Sequence, residues 1–414
     1  MHEDDSADGG SLTPPAGPSD RPGRARALLI YLVVAVLSAA AGVGTTLAVQ
    51  HVTAAGPRGT GMPRDAAADR PGAMNDEAVY NQVEPGVVDV TANLQYLQET
   101  AKGTGFVIDA AAGLILTNNH VIDGATSVTI TPVTSGKSYP ARIVGYDPAH
   151  DVALLQLRGA TGLKAVPIGN SSSIRVGTPV LAIGNEGGQG GSPTVAPGVI
   201  SSLDRVIVAS DQSSGLTETL HGMMQTDADI RPGDSGGPLA DATGRVIGID
   251  TAAGGNTVYS GYAIPINQAL PIARQIAARR PGGGVHIGLP TFLGVLMADS
   301  TSTSPRRQAS PGGAVSSSGR GCTSGATTAT PVSIAPVRSG ALVEGVLCGT
   351  AAAGAGLFAG DVITSIGGQA VTSPVSLSAL VSRYRPGSRA ALAWVAPDGR
   401  LHTAVVTLTA GPAG

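Results

Sequence analysis

The sequence predicts an all-β-dominated protein, rich in turns, and three observations indicate this class. Aromatic residues make up only 3% of the 414 residues whereas glycine occurs 59 times, so we expect a core of small aliphatic side chains between many turns. Ser127–Thr131 alternates polar and apolar residues, as a half-buried strand does. Gly233–Leu239 places a serine on a glycine-rich turn directly before an apolar strand. A chain of this length has room for two or three domains.

The N-terminal segment predicts a single membrane anchor. Residues 1–26 are polar and rich in Pro, Gly and Asp, which predicts a disordered tail. Residues 27–49 carry no charge and would form a helix of roughly 34 Å, enough to cross a hydrocarbon core of about 30 Å. The apolar part of a cleavable signal peptide is shorter, roughly 7–15 residues, so we favour an uncleaved transmembrane helix. Three arginines precede this span and place the tail in the cytoplasm and the rest of the chain outside it: Arg21, Arg24 and Arg26.

Composition divides the remaining chain into two folded domains. Residues 50–75, rich in Ala, Gly, Pro and Arg, predict a linker to a first domain at 76–278. We expect that domain to end in a helix, because apolar residues recur at helical spacing at Ile266, Leu270, Ala273 and Ile276. The Pro- and Gly-rich residues 279–288 predict a second linker. A second domain follows at 289–410, with a Ser-, Thr-, Gly- and Pro-rich insertion near 300–336 that we expect to be a mobile surface loop.

Ser235 is the candidate nucleophile. A serine hydroxyl attacks a carbonyl well only when a base removes its proton, and backbone N–H groups must stabilise the oxyanion that forms. The glycines around Ser235 allow turn conformations that a β-carbon forbids. The turn Gly233-Asp234-Ser235 is therefore the predicted oxyanion hole, with the amides of Gly233 and Ser235 as donors.

His120 and Asp151 are the candidate partners of Ser235, and His, Asp, Ser is one of the chain orders in which catalytic triads occur. His120 follows an apolar run and is expected at the end of a strand, facing a cleft. Asp151 opens an apolar strand, where a lone carboxylate is costly to bury and a histidine N–H would offset that cost. Two neighbours are alternatives. His150 lacks an apolar approach strand, and Asp147 precedes a proline in a turn, so we expect it to be solvated.

These motifs resemble those of the HtrA (Deg) family of serine proteases, from about Glu77 to the C-terminus. Further matching segments are Gly103–Ile108, Pro179–Asn185, Thr194–Ser201, Gln225–Ala228 and Gly261–Ile266. The resemblance implies a chymotrypsin-like fold of two six-stranded antiparallel β-barrels with a cleft between them, and it implies a homotrimer. It makes His120 the general base, Asp151 its orienter and Ser235 the nucleophile.

One segment departs from that family. Arg231-Pro232-Gly233-Asp234 stands where Asn-Pro-Gly-Asn is usual. We therefore expect this chain to differ in the geometry and regulation of this loop, and not in its chemistry.

Residues 289–410 resemble a PDZ domain of mixed α and β structure, and Ala355–Ile363 is the most specific segment. The resemblance implies that C-terminal peptides bind as an added strand. The amides of one loop would receive the peptide carboxylate: Phe292, Leu293, Gly294 and Val295. One helical face either lines this groove or packs in the core, and it carries Leu377, Leu380 and Val381.

Substrate preference depends on Asp229, six residues before Ser235. In trypsin-like enzymes this offset places a carboxylate at the base of the pocket for the side chain that precedes the scissile bond. If Asp229 points into that pocket, Arg or Lys is accepted; if it is solvated, Val, Ala or Leu is expected. We favour the solvated alternative, because the flanking residues match HtrA proteins. The other pocket candidates are Ile249, Thr251 and Ala252.

Cys322 and Cys348 are expected to pair outside the cytoplasm, with two free thiols as the alternative. We expect no metal or other cofactor, because the seven histidines are scattered and no Cys-x-x-Cys occurs. The net charge of -3 gives no attraction to nucleic acid.

The expected function is that of an ATP-independent serine endopeptidase of envelope protein quality control, which cleaves unfolded or misfolded extracytoplasmic proteins. Two alternatives stay open. One is a regulatory protease that cuts a single partner, and the other is a peptide-binding chaperone or scaffold whose protease domain is dormant.

Overall fold

Six antiparallel strands of the first domain close into a barrel. The order around the barrel is β1-β2-β3-β6-β5-β4, and β4 pairs again with β1. Every second residue of β1 points inward, because side chains alternate along a strand, and Val88, Val90 and Ala92 fill the barrel core. The strands are β1 Val87–Leu94, β2 Glu99–Asp109, β3 Leu114–Thr117, β4 Ser127–Pro132, β5 Tyr139–Asp147 and β6 Val152–Leu157.

A second closed barrel of six strands follows, in the order β10-β11-β12-β9-β8-β7. Its strands are β7 Pro179–Gly184, β8 Thr194–Ser210, β9 Thr217–Thr226, β10 Pro238–Asp241, β11 Val246–Thr251 and β12 Gly261–Pro265. The expected pair of six-stranded barrels is therefore confirmed. One continuous apolar core joins them, with Phe106 and Leu116 from the first barrel and Leu181 and Ile249 from the second.

Two helices complete the double barrel. Helix α1, Asp76–Val83, precedes β1, and helix α2, Ile266–Ala277, follows β12. The closing helix predicted from apolar spacing is confirmed. Its buried residues are Ile266, Ala269, Ala273 and Ile276, and they pack into the core that joins the two barrels.

This computed structural model describes residues 74–210, 217–251, 261–297, 321–325, 331 and 333–414. The predicted tail at 1–26 and transmembrane helix at 27–49 lie outside the described residues, as does almost all of the linker at 50–75. Most of the predicted insertion at 300–336 lies outside them too. Within the described ranges, no helix is both long enough and apolar enough to cross a membrane.

The predicted linker at 279–288 is partly a strand. Strand β13, His286–Ile287, pairs antiparallel with β5 and adds a seventh strand to the sheet of the first barrel. The His286 ring stacks on Tyr146 of β5, with 5.2 Å between ring centroids. The chain thus returns to the first barrel after it has completed the second.

The C-terminal module, residues 289–410, has mixed α and β structure around a separate core. Its main sheet has the order β15-β16-β17-β19-β20, β18 pairs with β17, and β14 pairs with β21. The elements are β14 Thr291–Phe292, β15 Val295–Met297, β16 Ala341–Val346, α3 Ala351–Ala355, β17 Val362–Ile366, β18 Gln369–Ala370, α4 Pro374–Val381, β19 Arg389–Val395, β20 Leu401–Thr407 and β21 Thr409–Ala410.

A disulfide joins Cys322 to Cys348, with 4.8 Å between the Cα atoms. The predicted pairing is therefore confirmed. Thr323 beside it donates its N–H to Val346 O, and Cys348 donates its N–H to Thr323 O. The bond fixes the short segment 321–325 against the end of β16.

The C-terminal module also contacts the first barrel. The Phe292 ring lies 5.4 Å from the ring of Tyr96, in the turn between β1 and β2. After β21, the backbone of Ala413 pairs with Gly124 and Ala125, a few residues beyond His120.

Candidate active site

His120 and Asp151 form a hydrogen-bonded pair at one edge of the first barrel. His120 follows β3, and its Nδ1 lies 2.9 Å from Oδ2 of Asp151. The backbone N–H of His120 donates to Oδ1 of the same carboxylate at 2.9 Å. A carboxylate only accepts hydrogen bonds, so the ring proton belongs on Nδ1 and Nε2 is left as the basic nitrogen. The predicted relation between these two residues is confirmed in the structure.

The Asp151 backbone is held in a demanding conformation. It follows a short 3₁₀ turn, Pro148–His150, and has a φ of 52°, in the left-handed region that non-glycine residues seldom adopt. Asn118 Nδ2 donates to the Asp151 carbonyl at 3.0 Å and to Thr251 Oγ1 of the second barrel at 3.3 Å. Asn118 thus supports the loop that carries the carboxylate. Sequence reasoning missed this role, for which proximity to His120 was the only signal.

The prediction that Asp147 is solvated is wrong. Asp147 is the last residue of β5, its side chain is only 1% exposed, and its Oδ2 lies 2.8 Å from Nδ1 of His150. The pairing of Asp147 with Val152 across β5 and β6 buries it despite the proline that follows. His150 and Asp147 form a separate pair, and neither replaces a member of the predicted triad.

Ser235 lies on a turn that is packed against the first barrel. Gly233 and Gly236 on either side have φ values of 102° and 88°, and a β-carbon at Gly236 would lie 2.1 Å from Thr104 O. Glycine is therefore required on both sides of the serine. The Ser235 carbonyl accepts the N–H of Thr104 on β2 at 2.8 Å.

Gly103, next to Thr104, shows how close the His120 segment comes to the serine turn. A β-carbon at Gly103 would lie 2.8 Å from the side chain of Val121, which follows His120, and 3.0 Å from the Ser235 carbonyl. The two segments therefore meet across β2. The segment that follows His120 in the first barrel and the serine turn of the second barrel thus both pack against Gly103.

The oxyanion turn is oriented by two hydrogen bonds. Pro232 O accepts the N–H of Gly187 at 2.8 Å, and Gly233 O accepts the hydroxyl of Thr104 at 2.8 Å. In a planar trans peptide, the N–H points opposite to the C=O. The Gly233 N–H therefore points away from Gly187, which leaves it available as a donor to an oxyanion.

Two carboxyl groups lie beneath this turn. Asp234 Oδ2 accepts the backbone N–H of Arg231 at 2.9 Å, and Oδ1 accepts the hydroxyl of Thr194 at 3.3 Å. Burial raises the pKa of Asp234, and these hydrogen bonds partly oppose the rise. Asp250 on β11 is fully buried, so its pKa is raised well above the ordinary value, and the neighbouring Asp234 raises it further.

The residues predicted to line the substrate pocket lie in different environments. Asp229 Oδ2 accepts Nε and Nη2 of Arg231 at 2.9 and 2.5 Å, so its charge is paired within the protein. Ile249 does not line a pocket, because it is fully buried in the core that joins the two barrels. Thr251 is buried against Asn118. Ala252 lies outside the described residues.

The C-terminal module contains a groove of about 480 Å³ between β15 and α4. All four predicted loop residues line it: Phe292, Leu293, Gly294 and Val295. From α4, Leu377 and Val381 line the groove and also belong to the module core, so both alternatives for that helical face hold. Leu380 belongs to the core and does not line the groove. Among the described residues, no three His, Cys, Asp or Glu are grouped to hold a metal ion.

Comparison with known proteins gives one family and several relatives. Residues 103–249 match the model of a trypsin-like peptidase domain. The chain is 32% identical to the serine protease PepD of Mycobacterium tuberculosis over 422 residues, which covers 96% of this chain and 81% of that protein. It is 34% identical to the periplasmic pH-dependent serine endoprotease DegQ of Escherichia coli over 294 residues, and this match spans 55% of the length of DegQ. Among solved structures, the HtrA-type protease AlgW with a tripeptide is 29% identical, with 82% of this chain and 98% of that chain covered and a TM-score of 0.44.

Proposed function

Because this chain belongs to the HtrA (Deg) family of trypsin-like serine proteases and is a serine endopeptidase, we propose that it cleaves unfolded or misfolded proteins outside the cytoplasm, without ATP, through His120, Asp151 and Ser235. The observation that carries the proposal is the hydrogen-bonded His120–Asp151 pair in a chain whose Ser235 turn packs against the same barrel, with the Ser235 carbonyl accepting the Thr104 N–H. The names of relatives such as the periplasmic endoprotease DegQ support a role in the cell envelope.

The chemistry follows from the roles of these groups. Ser235 Oγ attacks the peptide carbonyl while Nε2 of His120 takes the hydroxyl proton. Asp151 stabilises the imidazolium that forms, and the amides of Gly233 and Ser235 stabilise the oxyanion. His120 then gives its proton to the leaving amine. Water attacks the acyl-enzyme by the same route and regenerates Ser235.

We further propose that residues 289–410 are a PDZ domain that binds C-terminal peptides. The groove lies beside β15, whose outer edge carries no partner strand among the described residues. A peptide would pair with that edge as an added strand, and the amides of residues 292–295 would receive its carboxylate. Membrane anchoring through residues 27–49 and assembly as a homotrimer complete the proposal, and they rest on the sequence and the family resemblance.

The dormant-protease alternative is less well supported. A collapsed oxyanion turn needs the Pro232–Gly233 peptide to rotate, whereas the Gly187 N–H holds the Pro232 carbonyl at 2.8 Å. The geometry therefore favours a protease that is ready for catalysis.

The decisive experiment compares Ser235→Ala with a matched surface control, Ser173→Ala, whose hydroxyl bonds only to a local carbonyl. Both proteins are tested on denatured casein and with a fluorophosphonate probe. We expect Ser235→Ala to lose labelling and at least about 10⁴-fold of its turnover, while Ser173→Ala stays as wild type. Near-native turnover of Ser235→Ala would exclude Ser235 as the nucleophile.

A further inference from the structure

Arg231 stands two residues before the oxyanion-hole glycine and reaches two carboxylates. Its Nη1 lies 2.5 Å from Oε1 of Glu186, and its Nε and Nη2 bond to Oδ2 of Asp229 at 2.9 and 2.5 Å. Hydrogen bonds to Asp229, and to a lesser extent to Glu186, raise the pKa of the Arg231 guanidinium. Planar guanidinium is suited to joining two carboxylates in this way.

These contacts close a ring around the oxyanion turn. Glu186 is followed directly by Gly187, whose N–H donates to Pro232 O at 2.8 Å, and Pro232 follows Arg231. The Arg231 side chain thus binds Glu186, and the next residue, Gly187, holds the carbonyl of Pro232, which follows Arg231. On the other side, the backbone N–H of Arg231 donates to Oδ2 of Asp234, next to Ser235.

We propose that Arg231 is a positioning residue that keeps the Pro232–Gly233 peptide in its catalytic orientation by tying Glu186, and with it residues 185–191, to the oxyanion turn. This inference rests on the proposed role of Ser235 and its oxyanion turn.

Residues 185–191 have little conformational preference of their own. Four of them are glycines with positive φ: Gly187, Gly188, Gly190 and Gly191. Glycine loses more conformational freedom on ordering than any other residue. Two other contacts anchor this segment without touching Pro232 O: Lys102 Nζ donates to Gly188 O at 2.8 Å, and the Asn185 N–H donates to Thr104 Oγ1 at 2.9 Å.

Loss of the tie changes one peptide orientation in particular. When Gly187 no longer holds Pro232 O, the Pro232–Gly233 peptide can rotate, because glycine at 233 permits either orientation. The carbonyl then replaces the Gly233 N–H in the cleft, and the oxyanion hole loses one donor. Removing one such donor costs roughly 10²- to 10³-fold in kcat.

A simple surface ion pair makes a different prediction. The side chains of Arg231 and Glu186 are 45% and 41% exposed, and exposed pairs contribute little to stability. Arg231 should therefore affect kcat much more than the thermal midpoint of unfolding. High salt, which screens exposed charges, should lower kcat of the wild type and leave the variants that lack the pair unchanged.

The test compares Arg231→Ala, Arg231→Lys, Glu186→Gln and the double variant Glu186→Gln/Arg231→Ala with the wild type. Arg400→Ala is the matched control, since Arg400 pairs with Asp398 at 3.7 Å on an exposed turn of the C-terminal module. We measure kcat and KM on a short peptide, the affinity of a peptide boronate that forms a tetrahedral adduct, and the unfolding midpoint. A short peptide keeps the measurement on the protease cleft.

For Arg231→Ala we expect kcat to fall by about 10-fold or more, but by less than the roughly 10²- to 10³-fold cost of removing one oxyanion donor. The boronate affinity should fall in parallel. KM and the unfolding midpoint should stay unchanged. Arg231→Lys should recover part of kcat. The double variant should be no worse than Arg231→Ala, because both changes break one tie.

Wild-type kcat in Arg231→Ala and Glu186→Gln, with Ser235→Ala inactive, would overturn the role of Arg231 and leave the proposed function intact. An active Ser235→Ala would instead remove the proposed function. If Arg231→Ala does not fold, Glu186→Gln and the salt dependence of the wild type decide, and an unchanged kcat in both would also overturn the inference.

Discussion

At the scale of single residues, Asp250 is a carboxyl group whose ionisation is costly in the folded state. It is fully buried beneath the serine turn, and its backbone holds that turn, because Gly236 donates its N–H to Asp250 O and Asp250 donates its N–H to Gly237 O, each at 2.8 Å. Burial and the nearby Asp234 raise its pKa in the folded state. Both hydrogen bonds to the turn are made by the Asp250 backbone, so they do not require a carboxyl side chain.

We predict that Asp250→Asn becomes increasingly more stable than the reference protein as pH rises above about 4. In this range the folded state keeps the Asp250 proton and the unfolded state releases it, so the stability of the reference protein falls by about 1.4 kcal/mol per pH unit until the folded-state pKa is reached. Below about pH 4 both states are protonated and the difference should be constant. Urea unfolding at pH 4, 6 and 8 in the inactive Ser235→Ala background measures it. Exposed Asp398→Asn is the control, and a pH-independent difference for Asp250→Asn would contradict the prediction.

Asp229 carries a second prediction, on cleavage preference. Its carboxylate is neutralised by Arg231, so we expect Val, Ala or Leu before the cut bond in the wild type and in Asp229→Ala alike. Mass spectrometry of peptides from a denatured protein gives the profile. A preference for Arg or Lys that disappears in Asp229→Ala would show that Asp229 faces the pocket after all.

At the scale of elements, local patterns predicted the strands and helices well. Alternating residues located β4, and apolar spacing located α2, because both patterns are set by neighbours within one element. Contacts between distant segments were not predictable in this way. Asp147 was misjudged because its burial comes from the pairing of β5 with β6, and Ile249 because its strand faces the shared core.

In the candidate site, too, local motifs were predictable from the sequence and contacts between distant segments were not. The triad could be predicted from three short motifs, since each places one reactive side chain next to an apolar run. The Arg231–Glu186 contact joins residues 45 positions apart, and no local pattern predicts such a pair. The unusual Arg231 marked where the chain departs from its family, but only the fold revealed the partner.

The disulfide is the element-scale feature with a measurable effect. Cys322 and Cys348 are 26 residues apart, and a loop of this size contributes about 3 kcal/mol by restricting the unfolded chain. We expect Cys322→Ser/Cys348→Ser, made in the Ser235→Ala background, to lower the unfolding midpoint of the C-terminal module and leave that of the double barrel unchanged. Calorimetry resolves the two transitions if they are separate, and an unchanged module midpoint would contradict the prediction.

At the scale of the whole molecule, the proposed topology can be tested directly. The uncharged span at 27–49 and the three arginines before it predict that Ser235 lies outside the cytoplasmic membrane. Protease added to intact spheroplasts should digest the double barrel, and a cytoplasmic marker protein should survive. Complete protection until lysis would reverse the orientation. Replacing Arg21, Arg24 and Arg26 with Gln should weaken the preference for one orientation.

The division of the site between two barrels has a consequence for synthesis. The ribosome makes His120 and Asp151 first, and Ser235 comes 115 positions after His120. At about 5–20 residues per second, roughly 6–23 seconds separate the two. During that interval the nascent chain carries the candidate general base without the candidate nucleophile, so this site cannot cleave a peptide bond. Proteolytic activity of this site thus requires synthesis of the second barrel.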